Sequence, residues 1–236
     1  MIPAYELPPL HLSRVYIDFD GTLSARDVLD ELIRGYAADR SWEVAERQWQ
    51  EGIIGSRRCL EIQVGLVRID DDELEQFVDR VKLDEGAIGL LDFLAKQAVP
   101  ATILSDGLDI LIGRVLARHG IGEKVGVRCN KATRHGKGLA LEFPYASEAC
   151  RSGAGHCKCD SSDALRRIGE KTIYIGDGRS DLCAARKADF VFAKKVLADL
   201  LTAEGVPFVR YSTLADVQRY MQEAWAGCVD LAKGAR

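Results

Sequence analysis

From Asp84 onward, short apolar runs alternate with segments of helical period, and this alternation restricts the fold more than any other feature of the chain. Helical "AIGLLDFLAKQ" precedes strand-like "VPATIL", and helical "DILIGRVLARHG" follows and ends on Gly120. After a less regular stretch come helix "SSDALRRIG", strand "KTIYIG", helix "SDLCAARKA", strand "DFVFA", helix "KVLADLLTAEG", strand "PFVRY" and a final helix from about Thr213. Strands separated by helices pair in parallel, and such a sheet is covered on both faces. One or two further strands, "VGVRC" and "LALEF", are expected in the irregular stretch between Val125 and Gly155. Residues 14–19 read as another short buried strand. Between about Ala25 and Val81 no strand-like run occurs. "DVLDELIRGYA", "SWEVAERQWQ", "SRRCLEIQVGLV" and "DDELEQFVDRV" place apolar residues three and four apart, with Ser41 and Asp71 expected as N-caps. The pattern predicts an α/β chain: a parallel-sheet core from residues 1–24 and 84–236, and a helical unit, 25–83, inserted after the first strand as a lid over one end of the sheet.

Composition removes several classes of function. The chain has 236 residues, 47% of them hydrophobic, enough for a full core. A formal net charge of -4 argues against a nucleic-acid binder, which needs a basic face. The opening "MIPAYELPPLHL" has neither the basic nor the continuous apolar region of a secretory signal. No apolar run approaches the roughly 20 residues that span a bilayer, so no membrane partner is expected. Seven cysteines, an odd number without an export signal, suit free thiols in a reducing compartment and a cytoplasmic protein. Nothing in the sequence indicates an oligomeric state.

In open α/β sheets, ligands bind beyond the carboxyl ends of the strands. Polar residues collect at those positions. The first strand runs into Asp18, Asp20 and Thr22; "VPATIL" into Ser105, Asp106 and Gly107; "KTIYIG" into Asp177, with Asp181 one helical turn on. Lys158 stands before the "SSDALRRIG" helix. Taken singly, each group is ordinary turn, cap or surface chemistry. Brought to one edge, they supply five carboxylates, hydroxyls, an ammonium and glycine-flanked amides. Clustered carboxylates repel and call for a cation, and an all-oxygen donor set suits Mg²⁺. Cation, lysine, hydroxyl and loop amides together make a cradle for a phosphoryl group. A carboxylate beside that group can attack it, and a second can protonate the leaving oxygen and then activate water. Asp18 is the candidate nucleophile and Asp20 the candidate acid/base.

"DFDGTL", "LSDG", Lys158 and "GDGRSD", in this order and at strand ends, resemble the four motifs of the haloacid-dehalogenase-like phosphohydrolase superfamily. The resemblance covers essentially the whole chain. It implies a Rossmann-like core with a small helical cap, as in phosphoserine phosphatases, and Mg²⁺-dependent hydrolysis of a small phosphorylated metabolite through an aspartyl-phosphate. It further implies Asp18 as nucleophile, Asp20 as acid/base with its main-chain carbonyl on Mg²⁺, Thr22 and Ser105 as phosphate-contacting hydroxyls, and Lys158 as the motif-three cation. Asp177 matches the metal carboxylate, and Asp181 the second acidic position, often acting through water. Asp106 and Gly107 belong to the same phosphate loop.

For the substrate, "CRSGAGHCKCD" and "VFAKKVLADLL" resemble the branch holding the hydroxy-keto-methylthiopentenyl phosphate phosphatases of methionine salvage; the phosphoethanolamine/phosphocholine phosphatases are a neighbouring branch. Asp27 matches the cap-entry acid that holds the substrate amine in phosphoserine phosphatases, but neither Arg57 nor Arg58 falls in register with their cap arginine. A phosphotransferase and a non-enzymatic phospho-ligand sensor on the same scaffold remain open, although intact acidic motifs disfavour the sensor. Cys150, His156, Cys157 and Cys159 form a soft-ligand group whose spacing is poor for tetrahedral zinc. His119 and His135 are expected at the surface. Trp42 and Trp49, seven apart, are expected to pack within the cap, with Arg34 and Tyr36 nearby.

Overall fold

The computed structural model describes residues 5–233. Seven strands form one sheet: β1 (Ser13–Ile17), β2 (Ala101–Leu108), β3 (Gly126–His135), β4 (Gly138–Glu142), β5 (Lys171–Gly176), β6 (Phe190–Ala193) and β7 (Val209–Arg210). Their order is β4-β3-β2-β1-β5-β6-β7. Every pairing is parallel except the β3–β4 hairpin, which accounts for the two strands in the irregular stretch. The chain leaves β1 for β2 on one side and later returns to β5 on the other, so the sheet reverses its winding at β1. Such a reversal opens a crevice at the carboxyl end.

Side chains alternate between faces along a strand, and the core divides accordingly. Val15, Ile17, Ile173, Ile175, Phe190 and Phe192 join one buried cluster, while Tyr16, Tyr174, Val191 and Ala193 join a second on the opposite face. All five residues of β1 are buried, as a central strand requires.

Between β1 and β2 lie α1 (Val28–Tyr36), α2 (Trp42–Gln50), α3 (Ser56–Gly65) and α4 (Asp71–Arg80), then α5 (Ala87–Lys96) against the sheet. Helix α1 shows why this segment is helical: Val28, Leu29, Leu32 and Ile33 recur at three- and four-residue spacing and are buried, and Asp27 caps its start by accepting from the Asp30 N–H. The start of α4 differs by one residue from the sequence expectation. Asp70, not Asp71, is the N-cap: Glu73 stands three positions after Asp70 but Leu74 three after Asp71, and Asp70 and Glu73 form a reciprocal capping box. Ser41 precedes α2 but makes no cap bond; its backbone N–H donates to Asp39 instead. Trp42 joins the core cluster, with the Arg34 guanidinium 4.9 Å above its ring. Tyr36 packs edge-on against Phe77.

The two connections between the helical layer and the sheet run beside each other. Ser24 and Leu83 form an antiparallel bridge, Ala25 donates to the Lys82 carbonyl and Asp84 to that of Leu23. Asp84 anchors the second connection through Lys194 at 2.8 Å and the Leu214 N–H at 2.7 Å. The later helices are α6 (Asp109–Arg118), α7 (Lys158–Leu165), α8 (Leu182–Lys187), α9 (Lys195–Glu204) and α10 (Leu214–Lys233). Among the described residues, no helix is long and apolar enough to cross a membrane.

Candidate active site

Parallel register delivers the site. Ile17 pairs with Ile103 on one side and Ile175 on the other. Asp18 therefore emerges one residue beyond Ile17, flanked by Ser105 and Asp177, each two residues beyond its own paired position. Its N–H extends the ladder to the Ile175 carbonyl at 2.9 Å. Beyond Asp18 the chain makes one wide turn, in which Leu23 donates to Asp18 and Ser24 to Phe19. Gly21 makes this turn feasible. Its φ is +74°, and a Cβ there would lie 2.5 Å from Asp177 Oδ2 and 3.1 Å from Lys195 Nζ.

Lys158, the first residue of α7, points its ammonium into the crevice. Nζ donates to Asp18 Oδ1 at 2.6 Å, Asp181 Oδ1 at 2.7 Å and Ser180 Oγ at 3.3 Å. Asp181 is held on every side, accepting also from the Tyr174 hydroxyl at 2.7 Å and from the backbone N–H groups of Asp177 and Gly178. Thr22 donates to Asp177 Oδ1 at 3.2 Å. Asp20 Oδ1 accepts from Val28 and Leu29 at the start of α1, which ties the acid to the helical layer. Asp20 Oδ2 accepts from Ser105 Oγ at 3.3 Å. Ser105 Oγ in turn takes the Gly107 N–H at 2.8 Å. A Cβ on Gly107 would sit 2.9 Å from both Asp20 Oδ2 and Ser105 Oγ.

The sequence-derived residues thus converge, with two placements that the spacing did not reveal. The Asp106 carboxylate accepts from the His156 N–H at 2.9 Å and so anchors the approach to Lys158. Asp27 caps α1, its carboxyl pushed up by burial and close enough to Asp20 to raise that group as well.

The floor of the site is buried and strongly charged, while Asp20 is half-buried. Asp18 is 4% exposed, Lys158 3%, Asp177 8% and Asp181 0%. Burial, reinforced by Asp181, pushes the Asp18 carboxyl well above the usual range despite the opposing pull of Lys158. Burial lowers the Lys158 ammonium's affinity for its proton, but Asp18 and Asp181 outweigh it and the net shift is upward. Asp20 is raised to about 7, chiefly by burial and secondly by Asp27, with the Val28 and Leu29 N–H groups opposing. A group poised near neutrality is suited to giving and taking a proton.

Acidic oxygens of Asp18, Asp177 and Asp181 lie within 4.8 Å of one another, all three residues buried. This donor set fits a hard divalent cation such as Mg²⁺: clustered carboxylate oxygens with more negative charge than Lys158 alone can balance. A second ammonium already answers that charge. Lys195 donates to Asp177 Oδ2 at 2.8 Å and to the Gly21 carbonyl at 3.2 Å, and holds a φ of +47° to do so. Sequence reading passed over Lys195, although it follows β6 by two positions and the strand-end rule applies there as well.

Of the soft-ligand residues, Cys157 and Cys159 lie together, with Sγ atoms 3.5 Å apart, while His156 turns to other partners. His156 is buried with Nδ1 at 2.9 Å from the Ser105 carbonyl and Nε2 at 2.7 Å from Ser161 Oγ. Burial lowers its ring to about 4, so it stays neutral and braces the Ser105 loop. His135 is exposed and His119 half-buried.

A family model described as haloacid dehalogenase-like hydrolase matches residues 15–186, most of the chain. The chain belongs to the haloacid dehalogenase-like hydrolases. The match reaches from β1 into α8 and so includes every acidic residue of the crevice and Lys158, but not Lys195. Within this hydrolase family the chain is similar to the 2-hydroxy-3-keto-5-methylthiopentenyl-1-phosphate phosphatase of Bacillus pumilus (strain SAFR-032), 28% identical over 86% of this chain and 88% of the relative. The enzyme of the same name from Brevibacillus brevis (strain 47 / JCM 6285 / NBRC 100599) is 26% identical over 89% of this chain and 95% of the relative. Among solved structures, a substrate-bound phosphoserine phosphatase complex superposes with a TM-score of 0.68 at 19% identity, covering 88% of this chain and 98% of that one. The phosphoserine phosphatase from T. onnurineus gives 0.63 at 17% identity, over 93% and 96%. These likenesses establish the α/β Rossmann-like fold of the family.

Proposed function

We propose that this hydrolase is a Mg²⁺-dependent phosphatase that cleaves a small-metabolite phosphate monoester through an aspartyl-phosphate on Asp18. The observation that carries the reading is the buried Lys158 ammonium shared between Asp18 and Asp181, with Asp177 beside them at the sheet's switch point. Mg²⁺ would be held by the Asp18 and Asp177 carboxylates and the Asp20 main-chain carbonyl, with Asp181 acting through water, and would neutralise charge on the transferring phosphoryl group.

The chain's own residues perform the remaining steps. Asp18 Oδ1 is bound to Lys158, which orients the carboxylate and leaves Oδ2 to attack phosphorus. As that bond forms, the ester P–O bond breaks and Asp20 hands its proton to the leaving oxygen. Asp20 then takes a proton from water, which attacks the phosphorus of the acyl phosphate, and Asp18 and inorganic phosphate separate. Asp20 Oδ1 is occupied by two helix N–H groups, which leaves Oδ2, the oxygen facing Ser105, to give and take the proton. Lys158 and the Ser105 hydroxyl steady the phosphoryl oxygens, the Gly107 N–H orients Ser105 Oγ, and Thr22 orients the Asp177 carboxylate for the metal. Residues 25–83 act as a cap on the paired 24–25 and 82–84 connections. The cap covers the buried Asp18, Lys158 and Asp181, and closing over bound substrate would exclude water from them.

The curated relatives support 2-hydroxy-3-keto-5-methylthiopentenyl-1-phosphate as the substrate, a cytoplasmic metabolite of methionine salvage. The test is phosphate release from that ester, phosphoserine, phosphoethanolamine and phosphocholine, with and without Mg²⁺, beside an Asp18→Asn control. Release that needs both the metal and Asp18, and is fastest with the pentenyl phosphate, supports the reading. Preference for an amino-bearing ester would move the substrate to the neighbouring branches, and no release from any ester would refute the phosphatase assignment.

A further inference from the structure

A second cluster of reactive side chains lies just behind Lys158. Cys157 immediately precedes α7 and Cys159 lies in its first turn, so the two thiols bracket Lys158. Cys183 lies in the first turn of α8, two residues beyond Asp181. The Sγ atoms of Cys159 and Cys183 are 2.6 Å apart, well inside the ~3.5–4.0 Å at which unbonded heavy atoms ordinarily rest. Cys157 Sγ is 3.5 Å from Cys159 Sγ. Cys159 is buried, whereas Cys183 is exposed and open to reagents in solution. The group with oxygens and sulfurs within 4.8 Å of one another consists of Cys157, Cys159 and Asp160, and omits Cys183.

We propose that Cys159 and Cys183 are a modification site, forming a reversible disulfide that staples the first turn of α7 to the first turn of α8. The oxidant class is a hydroperoxide. The Cys183 thiolate attacks the terminal peroxide oxygen, the O–O bond breaks, and Cys183 becomes a sulfenic acid while the peroxide leaves as an alcohol or water. Cys159 sulfur then attacks Cys183 sulfur, the S–O bond breaks, and the departing hydroxide takes the Cys159 proton as water. Two thiols lose two electrons in total and the peroxide gains them. A dithiol reverses the reaction by attack on the exposed Cys183 sulfur. Reversibility reconciles the site with the free-thiol character of the cysteines as a whole.

The location gives the bond a consequence. One end is adjacent to Lys158 and the other follows Asp181, the two residues joined by the 2.7 Å ion pair. Oxidation therefore ties the two segments that carry this pair and restricts the unfolded chain between them, which raises Tm by about 5 °C.

The test uses the full-length protein, reduced, freed of reductant, and exposed to stoichiometric hydrogen peroxide. Non-reducing digestion and mass spectrometry are applied to wild type and to Cys157→Ser, Cys159→Ser and Cys183→Ser. The expected result is a Cys159–Cys183 linked peptide in wild type and Cys157→Ser, absent from the other two and removed by dithiothreitol, with the rise in Tm confined to the linked samples. A Cys157–Cys159 link in its place, oxidation of Cys183 to sulfinic acid without any link, or a link that leaves Tm unchanged would overturn the proposal. Cys183 is exposed, so its serine variant retains the fold and keeps the comparison interpretable. No readout here involves ester hydrolysis, so failure of this proposal leaves the phosphatase reading untouched, and the reverse.

Discussion

Lys158→Met keeps the apolar stem of the side chain and deletes the charge between Asp18 and Asp181. The lysine is 3% exposed and both carboxylates are buried, so water cannot replace the ammonium without reorganisation. Breaking a buried ion pair from one side costs about 3–5 kcal/mol. Asp181 retains the Tyr174 hydroxyl and two backbone N–H donors, while Asp18 has the ammonium as its side-chain partner. That residual support places the loss at about 3 kcal/mol, or roughly 6–12 °C in Tm for a chain of this size. The assay is urea unfolding in metal-free buffer above pH 7, where the carboxylates are most demanding. Adding Asp18→Asn to Lys158→Met removes one of the stranded charges and is expected to recover about 1 kcal/mol or more, a coupling that independent sites do not show. Mg²⁺ should also restore part of the loss in the single variant, because it supplies positive charge to the same oxygens. A single-variant loss under about 1 kcal/mol, or strict additivity in the cycle, would refute the claim that Lys158 neutralises a buried acidic cluster.

Gly21→Ala combines a left-handed backbone with a Cβ 2.5 Å from Asp177 Oδ2, so it should cost at least about 1–2 kcal/mol and weaken Mg²⁺ binding measured calorimetrically; unchanged binding would contradict the placement. Tyr174→Phe removes the hydroxyl from Asp181 and is expected to cost about 1–3 kcal/mol in chemical unfolding, since a buried carboxylate loses a donor. Asp20 binds a proton in the folded protein up to about pH 7 but in the unfolded chain only to about 4, so its contribution to metal-free stability falls as pH rises across that window. His156, lowered to about 4, works in the opposite direction up to its ordinary value near 6.5, so the Asp20 contribution is read as the difference in Tm between wild type and Asp20→Asn. That difference should grow in favour of the variant from pH 5 to 7.5, and a flat difference would show that Asp20 is not raised.

The sequence made the sheet legible because burial on two faces leaves near-continuous apolar runs, as in "VYI" and "IYI", and because these runs give way within a residue or two to polar or charged side chains. Strand ends therefore pointed directly at Asp18, Ser105 and Asp177. The helical layer is legible from its three- and four-residue spacing, but three consecutive aspartates offer competing caps for α4, and the Asp70–Glu73 pairing decides among them. Contacts between distant segments were not legible. Nothing local to "AKKV" shows that Lys195 takes a left-handed backbone to reach Asp177 from beyond β6. Nothing near "GHCKC" reveals that His156 turns to Ser105 and Ser161, or that Cys183 arrives from α8 to meet Cys159. Asp106 and Asp27 occupy motif positions, yet their carboxylates hold backbone N–H groups.

The most direct test of the account is acid quenching of the enzyme during turnover with its preferred phosphate ester and Mg²⁺, followed by peptide mass mapping. The account predicts one phosphoryl group on the peptide carrying Asp18, absent from Asp18→Asn and longer-lived in Asp20→Asn. Turnover by wild type with no phosphoryl group on Asp18, or undiminished turnover by Asp18→Asn, would contradict it.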